Sequence, residues 1–547
     1  MKQLITRVVL LVLISCSNFV SAQVSTGCTV DYIIVGGGTA GCVLASRLQS
    51  KGTVLCLEGG LIQDNNPLIA QPTAAGSLVL NYTNDFFWPL GHARVDVAPD
   101  NKRFPAVAGE TLGGGSSVNG MQYVRGSSSF FADWQTISGD ADWGPINATN
   151  VYKALEKFNG VPGQFNPTAH GFTGPVDIRQ AALNVQAATI FQAACATASG
   201  YPAISDYNDP ATPIGPFLYW QLFEQPSGIR ESSSTAYLQG TLTQKEPNIF
   251  VTANNRLVVY TQAHVTKVLF SSAIGASQPR ASGVKAIVSG NETVFFARKK
   301  VILCSGFQSP LLLQASGIGD PALLNSLNIP VVVNNPNVGK NMENHPIFSL
   351  TATGTVPPAT TPDPNGLYSG GAELPDPSVG GTTRALQFIG IATPGAPGAF
   401  TIATLLLKAK SLGTVNLLYP DPLRMPIYDF NYFTDPADIA TAVAAYDIMY
   451  RTLVGMGLTP LGPDPVTQPA AVVTYILTTY SQAYHWTGAC RMTQSAATGV
   501  VDNTGHVFGV SDLIVADITI IPTSPTGNCA APAFLVGNII ANKLLAA

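Results

Sequence analysis

The sequence predicts a mixed α/β protein with a parallel sheet at its N-terminal end, and three observations predict it. Asp31-Tyr-Ile-Ile-Val-Gly-Gly-Gly-Thr-Ala-Gly-Cys-Val-Leu-Ala-Ser-Arg-Leu48 reads as a buried strand, a glycine turn and a helix, and Thr53-Val-Leu-Cys-Leu-Glu58 reads as a second strand. Strand patterns return at Leu257–Tyr260, Val265–Phe270, Val284–Ser289, Lys300–Cys304 and Leu513–Asp517, interleaved with helical patterns at Ala182–Ser199, Pro436–Val454 and Ala471–Thr479. The composition is that of a large buried body: 46% of residues are apolar and only 11% charged, against about a quarter charged in an average globular protein.

Each stretch of the chain has its own reading. Residues 1–22 predict a secretory signal peptide: Lys2 and Arg7 precede the apolar run Val8–Ile14, and Val20-Ser21-Ala22 supplies small residues for cleavage. No later stretch is apolar enough to span a bilayer, so a secreted protein without a membrane segment is expected. The triplets at Asn81, Asn147 and Asn291 are acceptors for glycans in an exported chain. Of the 8 cysteines, Cys16 leaves with the signal. The rest are too few for a disulfide scaffold, and Cys42, Cys56 and Cys304 read as small buried hydrophobes. At most one or two bridges are expected, and no metal-ligand spacing occurs. Leu61–Ala108 is turn-rich. Thr353–Thr382, rich in Pro, Gly and Thr, predicts a flexible surface excursion. With 547 residues the chain holds roughly three to five domain equivalents at about 100–200 residues each. Its formal net charge of −4 leaves no basic surface for nucleic acid.

Chemistry begins at Gly36-x-Gly38-x-x-Gly41 with Glu58 at the end of the following strand. The first glycine permits a tight turn, and the second lets the backbone approach a pyrophosphate. The third lets the helix pack closely, and the helix N-terminus offers free amides to the anion. Glu58 has the type and position to accept hydrogen bonds from both hydroxyls of an adenosine ribose. This Rossmann-like pattern does not separate NAD from FAD. Export favours a retained flavin, because a dissociable nicotinamide would not be recycled outside the cell. A second glycine-rich loop, Gly109–Gly126, has almost no side chains from Gly113 to Ser117 and suits a large flat ligand. His485 has the pKa range a general base needs at neutral pH.

The second loop resembles a signature of the glucose–methanol–choline (GMC) family of FAD-dependent oxidoreductases, and Ser305–Gly319 resembles another. Ala169–Pro175, Gly228–Ala236, Pro336–Pro346 and Tyr484–Ile540 resemble further family pieces in the same order, so the likeness covers nearly the whole mature chain. The implied architecture is a Rossmann-like FAD-binding domain with an inserted sheet-plus-helix substrate, or cap, domain. Residues 28–330 would form the N-terminal part, 331–400 a cap segment with the flexible excursion, and 401–545 the C-terminal part. The resemblance implies oxidation of the CH–OH group of an aryl, aliphatic or sugar alcohol, with hydride transfer to flavin N5 and oxygen or a quinone or dye as electron acceptor. His485 would be the base and Asn528 its partner, in the manner of the His/Asn members such as the flavin part of cellobiose dehydrogenase. Thr39, Ala40, Glu58, Gly113, Asn119, Gly120, Met121 and Val265 would hold the cofactor, with Trp486 and Asp517 beside the flavin. Val118 offers no nucleophile where covalently flavinylated relatives carry His, so FAD would be non-covalent. The other five histidines fall outside the two segments resembling the active site, and they are expected to matter through folding. Glu110 stands where the family usually has Arg or Lys, and Gly306 where a slightly larger residue is usual. Two rival readings follow from the same motifs: an FAD-containing hydroxynitrile lyase, against which Asn528 argues, and a redox-silent secreted flavoprotein.

Overall fold

The computed structural model describes residues 25–74, 87–94, 102–211, 214–271, 278–359, 363, 366–392 and 400–547. The expected signal peptide and Asn81 lie outside them. Strand β1 (Ser25–Val35), helix α1 (Thr39–Leu48) and strand β2 (Val54–Leu57) form the anticipated βαβ unit. β1 and β2 are parallel, with Tyr32 opposite Val54 and Ile34 opposite Cys56. The continuous apolar runs of both strands follow from burial on both faces, as parallel sheets require.

The sheet is completed from residues far along the chain. β3 (Leu257–Tyr260) joins β2 in parallel, and β4 (Ala263–Ser271) pairs with β5 (Arg280–Val288). β6 (Asn291–Leu303) lies parallel to the other side of β1, placing Ile33 beside Val301. The short strand Leu513–Val515 pairs with β6, so residues near the C-terminus close the same nine-stranded sheet. α1 packs against the C-terminal helix Ala530–Ala546. Gly41 is needed in that first turn, because a Cβ there would stand 2.1 Å from the carbonyl oxygen of Gly36. Cys42, Cys56 and Cys304 are buried as expected, and the cysteines of the described residues are all unpaired.

A second, seven-stranded sheet forms the other half of the molecule. Its centre is β7 (Pro346–Thr353), β8 (Gly371–Pro375), β9 (Arg384–Ala392) and β10 (Phe400–Leu406), all antiparallel, in the order β7-β10-β9-β8. One face carries Phe348, Leu350, Ala372, Leu374, Leu386, Phe388 and Ile402. It is covered by the helices Val185–Ser199 and Pro436–Gly455 through Phe191, Ala445, Met449 and Leu453. β8 corrects the expectation of a surface excursion over Thr353–Thr382. Gly371–Pro375 is a fully buried strand, and the partly buried Tyr368 reaches inward to donate a hydrogen bond to the Gly120 carbonyl at 2.8 Å. The Pro- and Gly-rich composition describes the flanks and hides five residues that pair on both edges. Next to the turn-rich reading of Leu61–Ala108, Phe87–Arg94 and Arg103–Gly109 pair antiparallel and lead into the second glycine loop.

Candidate active site

A cavity of about 650 Å³ runs from the βαβ turn to the uncovered face of the second sheet. At the first end it is lined by Gly36, Gly38, Thr39, Ala40, Glu58 and, from β4, Val265. No side chain caps α1, so its first-turn amides are left for an anion in the cavity. Glu58 is held for its task by the backbone: Oε2 accepts from the Gly37 amide at 2.7 Å and Oε1 from the Gly60 amide at 2.9 Å. Burial nonetheless pushes its carboxyl up to about 7, and the neighbouring Glu110 adds to that shift. Gly41 and Gly113 do not face the cavity. They act from behind it, Gly113 by donating its amide to the Gly37 carbonyl at 2.7 Å and so tying the two glycine loops together.

Glu110, the departure from the family pattern, lines this end as well, with His264 Nδ1 at 3.9 Å from its Oε1. Burial raises its carboxyl to about 7. A carboxyl raised in this way ionises as pH climbs past 7, beside Glu58 and the free amides. Glu58 ionises over the same range and becomes the stronger hydrogen-bond acceptor, so the two carboxyls act on FAD affinity in opposite directions as pH rises. Glu110→Gln removes the repelling charge and is expected to bind FAD severalfold more tightly than the wild type above pH 8, measured by titrating apoprotein with FAD.

Asn119, Gly120 and Met121 line the middle of the cavity. Asn119 Oδ1 accepts from the Met121 amide at 3.0 Å and from Arg230 Nη1 at 2.9 Å, so the buried Arg230 braces the loop from behind. Opposite, Asp517 Oδ2 accepts from the Gly306 amide at 3.0 Å and from Ser309 Oγ at 2.6 Å, while Oδ1 caps the turn at Thr519. Burial raises the Asp517 carboxyl. The second departure now has its reason: Gly306 has φ +55°, the left-handed region that larger residues disfavour. Gln308 lines the same wall with its Nε2 buried and unpaired.

His485 and Asn528, 43 residues apart in sequence, converge at the second end. His485 Nε2 lies 3.3 Å from Asn528 Nδ2, which also donates to Gln122 Oε1 at 3.0 Å. His485 is carried between the segments 343–346 and 482–487, which pair through the Glu343 and Thr487 backbones and through Pro346 and Gln482. Asn344 Oδ1 accepts its main-chain amide at 2.8 Å. Tyr484, just before it, holds φ +59°, a strained value for a tyrosine and one that aims the imidazole into the cavity. Desolvation pushes the His485 pKa down to about 4, so the ring is neutral at pH 7. Trp486 also lines the cavity, but its ring is packed against Phe307, Tyr428 and Phe430 at centroid distances of 4.3, 5.3 and 5.6 Å, with Nε1 donating to Gln482.

Three residues here escaped sequence reasoning. Gln122 and Arg230 sit in pieces that resemble the family but carry no distinctive spacing. His345, one of the five histidines expected to matter mainly through folding, lies beside the candidate base, its Nδ1 2.9 Å from His485 Nδ1. The signal that could have found it is its place in Pro336–Pro346, the piece that pairs with the His485 segment.

An elongated cavity, free helix amides, a buried carboxyl at the end of β2 and unpaired amide groups fit a flavin dinucleotide. Comparison with known proteins agrees. Family models described as GMC oxidoreductase match residues 30–347 and 409–537. The chain is 29% identical to 5-(hydroxymethyl)furfural oxidase of Methylovorus sp. (strain MP688), over 94% of this chain and 98% of that protein. It is 28% identical to oxygen-dependent choline dehydrogenase of Yersinia pseudotuberculosis, over 94% and 93%. The solved structure of pyridoxine 4-oxidase from Mesorbium loti superposes with a TM-score of 0.81 at 23% identity, covering 94% of this chain and 99% of that one. Formate oxidase does so with 0.81 at 22%, covering 95% and 99%. With matches across both halves of the chain, the protein belongs to the GMC oxidoreductases and is an FAD-binding enzyme of that family.

Proposed function

We propose that the protein oxidises the CH–OH group of a neutral alcohol, with His485 taking the hydroxyl proton and Asn528 holding the substrate oxygen. The observation that carries this reading is the convergence of His485 Nε2, Asn528 and Gln122, where Asn528 Oδ1 and Gln122 Nε2 are buried without a partner. Leaving a buried polar group unpaired costs about 1–3 kcal/mol, and a substrate hydroxyl that accepts from Gln122 Nε2 while donating to His485 Nε2 relieves part of that cost. Bound FAD supplies the acceptor for the carbon-bound hydrogen as hydride. The chain's own work is to present a neutral imidazole to the hydroxyl, steady the oxygen as its negative charge grows, and keep water out. The amides of Asn528 and Gln122 suit the second task, Gln122 through the Nε2–H that has no other partner, because neither titrates and so neither competes for the proton.

The wall beyond His485 favours an apolar substrate body. Ile347, Ile389, Ile391, Ala403 and Leu405 share one face of the second sheet and line the cavity. Its lining carboxylates among the described residues, Glu58, Glu110 and Asp517, stand around the βαβ unit. A quaternary ammonium finds no counter-charge at the reacting end, and the Trp486 ring is covered by its neighbours. Aryl and aliphatic alcohols therefore suit the wall better than choline or sugars.

FAD is held without a covalent bond in this reading, since Val118 lines the cavity where a nucleophile would be needed. The purified protein is expected to be yellow and to release all its FAD on denaturation. Flavin remaining on acid-precipitated polypeptide would refute the non-covalent claim. Export is proposed from residues 1–22. Asn291 is the favoured glycan site, because it is exposed at a hairpin tip, whereas Asn147 is half-buried on a helix. The functional reading is tested by steady-state assays with aryl, aliphatic and sugar alcohols, with oxygen and then a quinone dye as acceptor. Aldehyde or ketone formation supports it. Cyanohydrin cleavage without alcohol oxidation contradicts it.

A further inference from the structure

The contact between His345 and His485 carries information about where the protons sit. Their Nδ1 atoms are 2.9 Å apart, the rings cross at 84°, and His345 is fully buried. Two ring nitrogens at that distance must share one proton, since two N–H groups or two lone pairs would repel each other. Burial lowers the pKa of both rings, and the charge of His485 lowers that of His345 further. Both are therefore neutral at pH 7, each with one proton, and two arrangements remain.

In the first arrangement His485 Nδ1–H donates to His345 Nδ1, leaving His485 Nε2 with a bare lone pair and a proton on His345 Nε2. In the second every assignment is reversed. The surroundings choose between them. His345 Nε2 is buried without a hydrogen-bond partner and does not discriminate, so the choice falls to the groups around His485. At the other end Asn528 Nδ2 faces His485 Nε2 as a donor while donating to Gln122 Oε1. Protonating His485 Nε2 would set N–H against N–H, unless the amides of Asn528 and Gln122 both turned over together. The first arrangement suits the Asn528 amide as it stands, with no rearrangement.

We propose that His345 is a positioning residue, which accepts the Nδ1 proton of His485 and thereby keeps Nε2 bare and aimed at the substrate hydroxyl. The proposal rests on His485 being the base. When His485 takes the alcohol proton, Nδ1–H still donates to His345, and the hydrogen bond strengthens because its donor is now charged. A neutral acceptor does this without the standing negative charge of a carboxylate, which would raise the His485 pKa.

The tautomer can be read directly from the ¹⁵N spectrum of the holoenzyme labelled at histidine, with His485 assigned by its loss in His485→Ala. Expected is a protonated Nδ1 and a bare Nε2; a protonated Nε2 in the wild type overturns the proposal without any variant of His345. Activity gives a second reading. His345→Gln keeps a carbonyl acceptor, whereas His345→Leu keeps bulk alone. Among FAD-loaded fractions, anaerobic flavin reduction by benzyl alcohol is expected to be slowed about tenfold to a hundredfold by the Leu variant, the worth of a hydrogen bond to a charged group. The Gln variant should recover most of the loss. Equal rates in the two variants overturn the proposal. If His485→Ala itself reduces flavin at the wild-type rate, the base assignment falls; if it is slow while His345→Leu is fast, only the role of His345 falls.

Discussion

His485→Ala is expected to load FAD nearly normally and to reduce it about 10²–10⁴-fold more slowly, the usual contribution of general-base catalysis. That corresponds to roughly 3–5 kcal/mol in the barrier. The loss should be confined to the reductive step, because His485 touches Asn528, His345 and the cavity but none of the groups around the βαβ turn. The pH profile carries a second signature. A base whose folded pKa lies near 4 is already neutral at pH 6, so the wild-type reduction rate should be level from about pH 6 to 9. It should fall below about pH 5, as protons bind Nε2 and remove the acceptor. This differs from the imidazole-like midpoint that a solvent-exposed histidine would give. Asn528→Ala should cost less than His485→Ala, since the proton acceptor remains.

Glu58→Ala is expected to weaken FAD binding roughly tenfold to a hundredfold, the worth of a charge-assisted hydrogen bond of about 1.5–3 kcal/mol. Glu58 lies at the end of β2, accepts from Gly37 and Gly60, and is separated from His485 by the length of the cavity. The flavin-loaded fraction should therefore react at close to the wild-type rate. Titration of apoprotein with FAD measures the first effect, and rapid mixing of the loaded fraction measures the second. An unchanged affinity would remove Glu58 from the cofactor site.

What could be read before the structure follows from how local each feature is. The βαβ unit, Glu58 and the buried cysteines depend on runs of a few residues whose period and glycine spacing state their environment, and the structure realises the unit at Ser25–Leu57 with Glu58 directly after it and Cys42, Cys56 and Cys304 buried. The meeting of His485 with Asn528 came from resemblance, because no spacing rule brings residues 43 apart into one wall. His345 was missed for a related reason. Its contact is made by pairing between the segments 343–346 and 482–487, and such pairing leaves no mark on the identity of either histidine. β8 was hidden by its flanks, since glycine and proline on either side of Gly371–Pro375 dominate the composition of a thirty-residue window. Gly306 and Glu110 were visible as departures, but only backbone geometry explains the first and only the cavity shows what the second faces.

The most direct test of alcohol oxidation with His485 as base is a single anaerobic turnover. Wild-type holoenzyme and FAD-loaded His485→Ala are mixed with benzyl alcohol in the absence of oxygen, and the flavin absorbance is followed while aldehyde is quantified. The account predicts bleaching of the wild type with one aldehyde formed per flavin, at a rate level above pH 6, and bleaching at least a hundredfold slower in the variant. A flavin that stays oxidised with benzylic, aliphatic and sugar alcohols alike would contradict it, as would a variant that bleaches as fast as the wild type.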